Sequence, residues 1–297
     1  MDQCTICPRL CQADRVLTKG ICLAGPEPVV AKVMLHLWEE PFISGDTGSG
    51  AIFFSGCNLR CVYCQNVDIS QTLKGQVMSF DEILNYMFRL KEQGAVNINF
   101  VTGAHFTDQL IPIIAQARAQ GLDLPIVWNS SGYESVETLK KLEGLIDIYL
   151  PDFKYLDPEL ARRYSKALDY PEAAKAALAE MYRQTGPVRF SGDLLKRGMV
   201  VRHLILPGQV DDSQGILAYL HSTYGDNIYL SIMNQYTPAG DLTHYPELDR
   251  YLTPNEYDEV IDYALALGIS NALIQSSESQ SSLYTPDFNT LFEVASS

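Results

Sequence analysis

The chain has 297 residues, 46% of them hydrophobic and 10% aromatic, enough for a sizeable core and unlike a disordered or fibrous protein. Its formal net charge of −14 opposes binding a polyanion, so neither nucleic acid nor an anionic membrane surface is an expected partner. No run of about 18 apolar residues is present, and Met1 to Leu10 carries Cys, Asp and Arg where a signal peptide needs an apolar stretch, so a soluble cytoplasmic protein is expected.

Residues 1–28 read as a separate small element, bounded by Gly25, Pro26 and Pro28. It holds Cys4, Cys7, Cys11 and Cys22, spaced C-x2-C-x3-C-x10-C. All seven cysteines of the chain fall at or before Cys64. An odd number in two short groups is a poor disulfide framework, and disulfides rarely persist in a reducing cytosol. Metal binding is the expectation. Four soft ligands close a tetrahedral zinc site or hold an iron-sulfur cluster, and the spacing leaves both open.

From Ala51 onward, apolar β-prone runs alternate with amphipathic stretches. Strands are expected at 51–56, 97–102, 125–129, 147–153, 199–206 and 227–233. Helices are expected near 80–93, 107–120, 134–143, 157–167, 170–185, 211–223 and 254–267. Near-continuous apolar strands separated by helices describe a parallel sheet covered on both faces. The fold class is therefore α/β, a partial or closed (β/α) barrel of about six parallel strands over residues 29–297, with a C-terminal extension. Active-site residues of such a fold gather where strands end, and Cys57, His105, Asn129, Asp152, Lys154, Asn234 and Gln235 stand at those places.

Gly56-Cys57-Asn58-Leu59-Arg60-Cys61-Val62-Tyr63-Cys64 gives the spacing C-x3-C-x2-C directly after a strand. Three thiolates hold three irons of a [4Fe-4S] cube, and with no later cysteine the fourth iron stays open. An open iron suits chelation by the amino and carboxylate groups of S-adenosylmethionine. One electron then cleaves the sulfonium to methionine and a 5′-deoxyadenosyl radical. The rival is a three-cysteine zinc site completed by His36 or His105.

With Tyr63 as the aromatic before its last cysteine, this motif resembles the signature of the radical S-adenosylmethionine superfamily. The closer resemblance, over nearly the whole chain, is to the pyruvate formate-lyase activating enzymes and an activase-related branch of them. It is carried by CPRLC with Arg15, GCNLRCVYCQN, NINFVTGAHFT, NSSGYE, DIYLPDFKY, VRHLILPG and MNQYTP.

The resemblance implies a cofactor site. Where the family reads Gly-Gly-Glu, this chain has Thr102-Gly103-Ala104-His105, so the carboxylate is missing and His105 is a candidate catalytic group facing substrate. Asp152-Phe153-Lys154 matches the family's Asp-x-Lys, which grips the methionyl end. Asn129 or Ser130 stands where an acid holds the ribose, Arg202 matches a fifth-strand arginine, and Asn234 or Gln235 replaces a cofactor-contacting histidine. His203 is expected to be structural, and Tyr149, Tyr155, Tyr164, Tyr170 and Tyr182 to pack the core. The resemblance also implies a flavodoxin or ferredoxin as reductant and a protein or peptide substrate, in the activase case a glycine of a partner enzyme. The alternatives are radical modification of another peptide or small metabolite, and a non-catalytic metal-stabilised scaffold.

Overall fold

The computed structural model describes residues 3–275 and 286–292. Residues 3–28 form turns without a helix or strand. Then follow β1 (Val29–His36), α1 (Pro41–Ser44), β2 (Ser49–Phe54), α2 (Val67–Ser70), β3 (Gln76–Val77), α3 (Phe80–Glu92), β4 (Ile98–Val101), α4 (Thr107–Ala119), β5 (Ile126–Ser130) and α5 (Val136–Lys140). The second half comprises β6 (Ile148–Pro151), α6 (Pro158–Ser165), α7 (Tyr170–Thr185), β7 (Arg189–Ser191), β8 (Leu194–Leu204), α8 (Val210–Tyr224), β9 (Tyr229–Met233), α9 (Pro254–Ala266) and β10 (Ala272–Ile274).

Local chemistry explains the elements. Every residue of β2, β4, β5 and β6 is buried, as a parallel strand covered on both faces requires. In α3, Ser79 and Glu82 form a reciprocal capping box, and Ile83, Leu84, Met87 and Leu90 make one buried stripe. The same box, from Thr253 and Glu256, starts α9.

The strands run in the order β10-β9-β8-β6-β5-β4-β2-β1-β3, and the path from β2 to β10 is parallel throughout. Among the described residues β10 does not pair with β3, so the sheet is open. The six strands expected from the sequence are β2, β4, β5, β6, β8 and β9, shifted by a few residues. β10 adds a seventh parallel strand, while β1, β3 and β7 are antiparallel additions. β1 escapes an apolar-run reading because Lys32 interrupts it. That side chain is fully buried and its ammonium donates to Asp287 O and Thr290 Oγ1, both at 2.8 Å. Part of the expected C-terminal extension lies outside the described residues.

Register brings the strand ends to one edge. Phe53 pairs with Val101, Val101 with Asn129, and Asn129 with Leu150, while Asp152 bridges to Arg202. Behind that edge, His203 locks β8 in place: Nδ1 is 2.8 Å from Phe153 O and Nε2 is 2.9 Å from Ser213 Oγ. Its expected structural role thus has a geometry.

Burial pushes the pKa values of His36, His105 and His203 down to about 4. Between pH 4 and 6.5 the unfolded chain therefore binds protons that the native chain refuses, and stability rises with pH there. Chemical denaturation is predicted to show full stability above about pH 6.5 and a loss on acidification towards pH 4, on the order of 1.4 kcal/mol per pH unit per histidine. His203→Gln should flatten that slope; an unchanged slope would contradict the assignment.

Candidate active site

β2 delivers the cysteine loop. Gly56 adopts φ +83°, and a Cβ there would stand 2.3 Å from Cys22 O, so glycine is required where the N-terminal element presses on the loop. Beyond it, Cys57 Sγ faces the N–H groups of Leu59 at 3.4 Å and Arg60 at 3.5 Å. The Ser165 hydroxyl donates to Cys61 Sγ at 3.1 Å. Ser70 Oγ, buried, lies within hydrogen-bonding reach of Cys64. Burial pushes the Cys57 thiol up and that of Cys64 up to about 12, while nearby Lys154 acts in the opposite sense. These thiols become thiolates when a bound cation compensates the charge.

Among the described residues no three His, Cys, Asp or Glu side chains converge to hold a single metal ion, at this loop or at the N-terminal cysteines. A cube asks for three separate thiols, because each takes a different iron, and Cys57, Cys61 and Cys64 supply three. The histidine needed by the zinc alternative is engaged elsewhere in the case of His105, whose Nε2 is 2.8 Å from Ser55 O.

The loop and a buried charge network line the same cavity. Lys154 Nζ lies 2.7 Å from Asp152 Oδ2, and Arg202 Nε lies 3.0 Å from Asp152 Oδ1. Arg202 also reaches Asn129 Oδ1 at 2.6 Å and Glu39 Oε2 at 3.2 Å, while Asn129 and Asn99 donate to Glu39 Oε1 at 3.1 and 3.0 Å. Burial alone would raise Asp152, but Lys154 and Arg202 overcome it and hold the carboxyl below its ordinary value. For Glu39 burial prevails over Arg202 and its pKa is raised. Tyr170 anchors the strand end, its oxygen accepting the Lys154 N–H at 2.9 Å and its hydroxyl donating to Ser131 O at 2.9 Å.

Of the residues expected at this site, Cys57, Cys61, Cys64, Tyr63, Thr102, Asn129, Ser130, Asp152, Lys154 and Arg202 all line the one cavity. Thr102 does so at φ +60°, a strained conformation for a β-branched residue. The Ser130 hydroxyl is committed to Glu134 Oε2, whose other oxygen holds the Trp128 indole at 2.7 Å.

Three expected residues do not line the cavity. His105 is fully buried behind the cysteine loop, held by Ser55 O and packed on Phe106, so it does not face a substrate. Gly103 points into the core, where a Cβ would meet Leu110 at 2.9 Å. Asn234 is buried beneath the wall, its N–H bonded to Gln275 Oε1 at 2.9 Å, and Gln235 lines the cavity instead. Conversely, Trp38 and Glu39 line it from the β1–α1 turn, which sequence reasoning missed, and His36, considered there only as a zinc ligand, lines it from the end of β1. Two adjacent acids wedged between an apolar run and Pro41 were the available signal.

The N-terminal cysteines lie close to one another. A Cβ on Gly20 would stand 3.0 Å from Cys11 Sγ and 3.7 Å from Cys22 Sγ, and Cys7 and Cys22 each lie within electrostatic reach of the other and of Cys4. Burial pushes Cys7 up to about 11 and raises Cys22. The element is tied to the loop by Arg60, which donates to Ile21 O at 3.2 Å, and by Arg15, which donates to His105 O at 2.6 Å.

Known proteins place this arrangement. Residues 51–220 match the family model described as the radical SAM superfamily. An uncharacterized protein of Methanocaldococcus jannaschii is 30% identical over 268 residues, covering 88% of this chain and 74% of that protein. A pyruvate formate-lyase-activating enzyme of Clostridium pasteurianum is 29% identical over 113 residues, 36% of this chain and 46% of that enzyme. One from Listeria monocytogenes is 24% identical over 176 residues, 56% and 65% respectively. This chain thus spans less than two thirds of either activating enzyme. Among solved structures, methylornithine synthase aligns with TM-score 0.47 and 16% identity over 72% of this chain and 62% of that one. With the family model covering more than half its length, the chain belongs to the radical SAM superfamily, and its relatives include pyruvate formate-lyase activating enzymes.

Proposed function

We propose that this protein is a radical S-adenosylmethionine enzyme that cleaves its cofactor reductively and abstracts a hydrogen atom from a protein or peptide substrate. The observation that carries the reading is a single cavity lined both by Cys57, Cys61 and Cys64 and by the Asp152–Lys154–Arg202 network. A [4Fe-4S] cluster at the three thiols supplies, when bound, the electron that converts the sulfonium to a 5′-deoxyadenosyl radical.

The chain's own groups have distinct roles in this proposal. Asp152 accepts from the methionyl ammonium, and Lys154 offers a cation to the carboxylate. Asn129 and Thr102 present polar atoms from the neighbouring strand ends, and Tyr63 lies against the cluster loop. Arg202 fixes the carboxylate of Asp152 and the amide of Asn129 in one orientation, acting through them. Glu39, with its raised pKa, is the acidic group left facing the cavity beside Arg202.

The pyruvate formate-lyase activating enzymes among its relatives favour an activase, with a glycine of a partner enzyme as target and a flavodoxin or ferredoxin as one-electron donor. A stable glycyl signal in electron paramagnetic resonance, raised in a candidate partner by the reduced enzyme, tests that target. Turnover of another peptide with no such signal would assign the second reading.

Residues 1–28 are proposed as a metal-binding element, zinc or a second iron-sulfur cluster at Cys4, Cys7, Cys11 and Cys22, joined to a catalytic domain over 29–297. Metal analysis of the C57A/C61A/C64A variant reads it directly. Zinc without iron means a structural ion, residual iron with sulfide means a second cluster, and neither would dismiss the site.

The clamp has its own test. Asp152→Asn with Lys154→Gln is predicted to weaken S-adenosylmethionine binding at least tenfold by calorimetry, since each charge-assisted hydrogen bond is worth about 1.5–3 kcal/mol. Iron content should stay at that of the wild type. Unchanged affinity would refute the assignment of these two residues.

A further inference from the structure

We infer that Ser165 is a positioning residue that acts through Cys61 to set how readily the bound cluster accepts an electron. The inference rests on the reading that Cys57, Cys61 and Cys64 hold a [4Fe-4S] cluster. Ser165 is the last residue of α6, is 1% exposed, and donates its hydroxyl proton to Cys61 Sγ at 3.1 Å. The Tyr155 hydroxyl lies 2.8 Å from Ser165 Oγ and 2.7 Å from the Tyr63 hydroxyl. A row of hydroxyls therefore runs from the residue before the last cluster cysteine to the sulfur of the middle one.

This placement is fixed by the backbone. The Val62 N–H donates to Tyr164 O at 2.9 Å, joining the cysteine loop to the end of α6. Arg9 closes the same seam from the N-terminal element: Nε donates to Asn58 O at 2.8 Å, and Nη2 to Leu59 O at 3.2 Å and Ser165 O at 2.7 Å. Its Nη1 reaches Lys166 O. One guanidinium thereby satisfies carbonyls of both the loop and the helix terminus, which would otherwise lack partners.

The chemistry follows from donor counting. An iron-bound thiolate only accepts, so the single Ser165 proton points at sulfur. Cys57 meets only longer backbone contacts, at 3.4 and 3.5 Å. Cys61 thus has a shorter donor than Cys57. Reduction adds one electron and no proton, and the added charge spreads onto the ligand sulfurs. A donor aimed at sulfur stabilises the reduced cluster more than the oxidised one and raises its potential.

The test is a redox titration of the reconstituted full-length protein, followed by electron paramagnetic resonance of the reduced cluster. Ser165→Ala should make reduction about tenfold less favourable, a midpoint about 59 mV more negative for one electron. Ser165→Thr, which keeps the hydroxyl, should stay near wild type. A loaded Ser165→Ala protein with an unmoved or more positive midpoint overturns the inference. Should Ser165→Ala fail to take up iron, Ser165→Gly, which also removes the hydroxyl at the last residue of α6, decides, and no shift there overturns it. A wild-type chain that takes up no cluster would overturn the underlying reading as well.

Discussion

The rest of the site depends on one buried ionic contact, the Asp152 carboxylate shared between Lys154 and Arg202. Three charges are taken out of water there, at a cost that only complete pairing offsets. Removing one partner of such a group typically costs about 3–5 kcal/mol, because the remaining charge is left unpaired. The surroundings supply that pairing. Arg202 has Glu39 and Asn129 as further acceptors, and Tyr170 and Gly132 hold the Asp152 backbone from behind. The network thus ties together β5, β6, β8 and the turn after β1 at one edge of the sheet.

A second constraint acts on the cysteine loop. Loops with three thiols and few apolar contacts are easily distorted, yet this loop is held on both flanks. The N-terminal element meets it at Gly56, Arg60 and, through Arg9, at Asn58 and Leu59. The end of α6 meets it at Val62 and Cys61. A metal bound by Cys4, Cys7, Cys11 and Cys22 would order a segment with little apolar mass, and that order would pass directly to the loop.

Much of this was legible in the sequence. Six apolar runs gave the parallel strands, because burial on both faces leaves an unmistakable run of Val, Ile and Phe. Asp152 and Lys154 were legible as charges standing at a strand end, and Arg202 through the resemblance, as a fifth-strand arginine. What failed had specific physical causes. β1 was hidden by Lys32, a buried cation whose partners lie some 255 residues away in sequence. His105 stands at a strand end like the others, but the short 3-10 turn over Ala104–Phe106 rotates it behind the loop. Asn234 sits between cavity-lining Met233 and Gln235, and alternation turns it away, whereas Gly103 already has the helical backbone that opens the 3-10 turn. Glu39 was missed because it follows an antiparallel strand outside the β-α repeat.

The central claim is that Cys57, Cys61 and Cys64 hold a cluster that cleaves S-adenosylmethionine. The most direct measurement is 5′-deoxyadenosine formation by the anaerobically reconstituted, reduced protein, beside the C57A/C61A/C64A variant under the same conditions. The account predicts 5′-deoxyadenosine from the wild-type chain and none above background from the variant. Sustained formation by the variant, or none from a wild-type chain loaded with iron and sulfide, would contradict it.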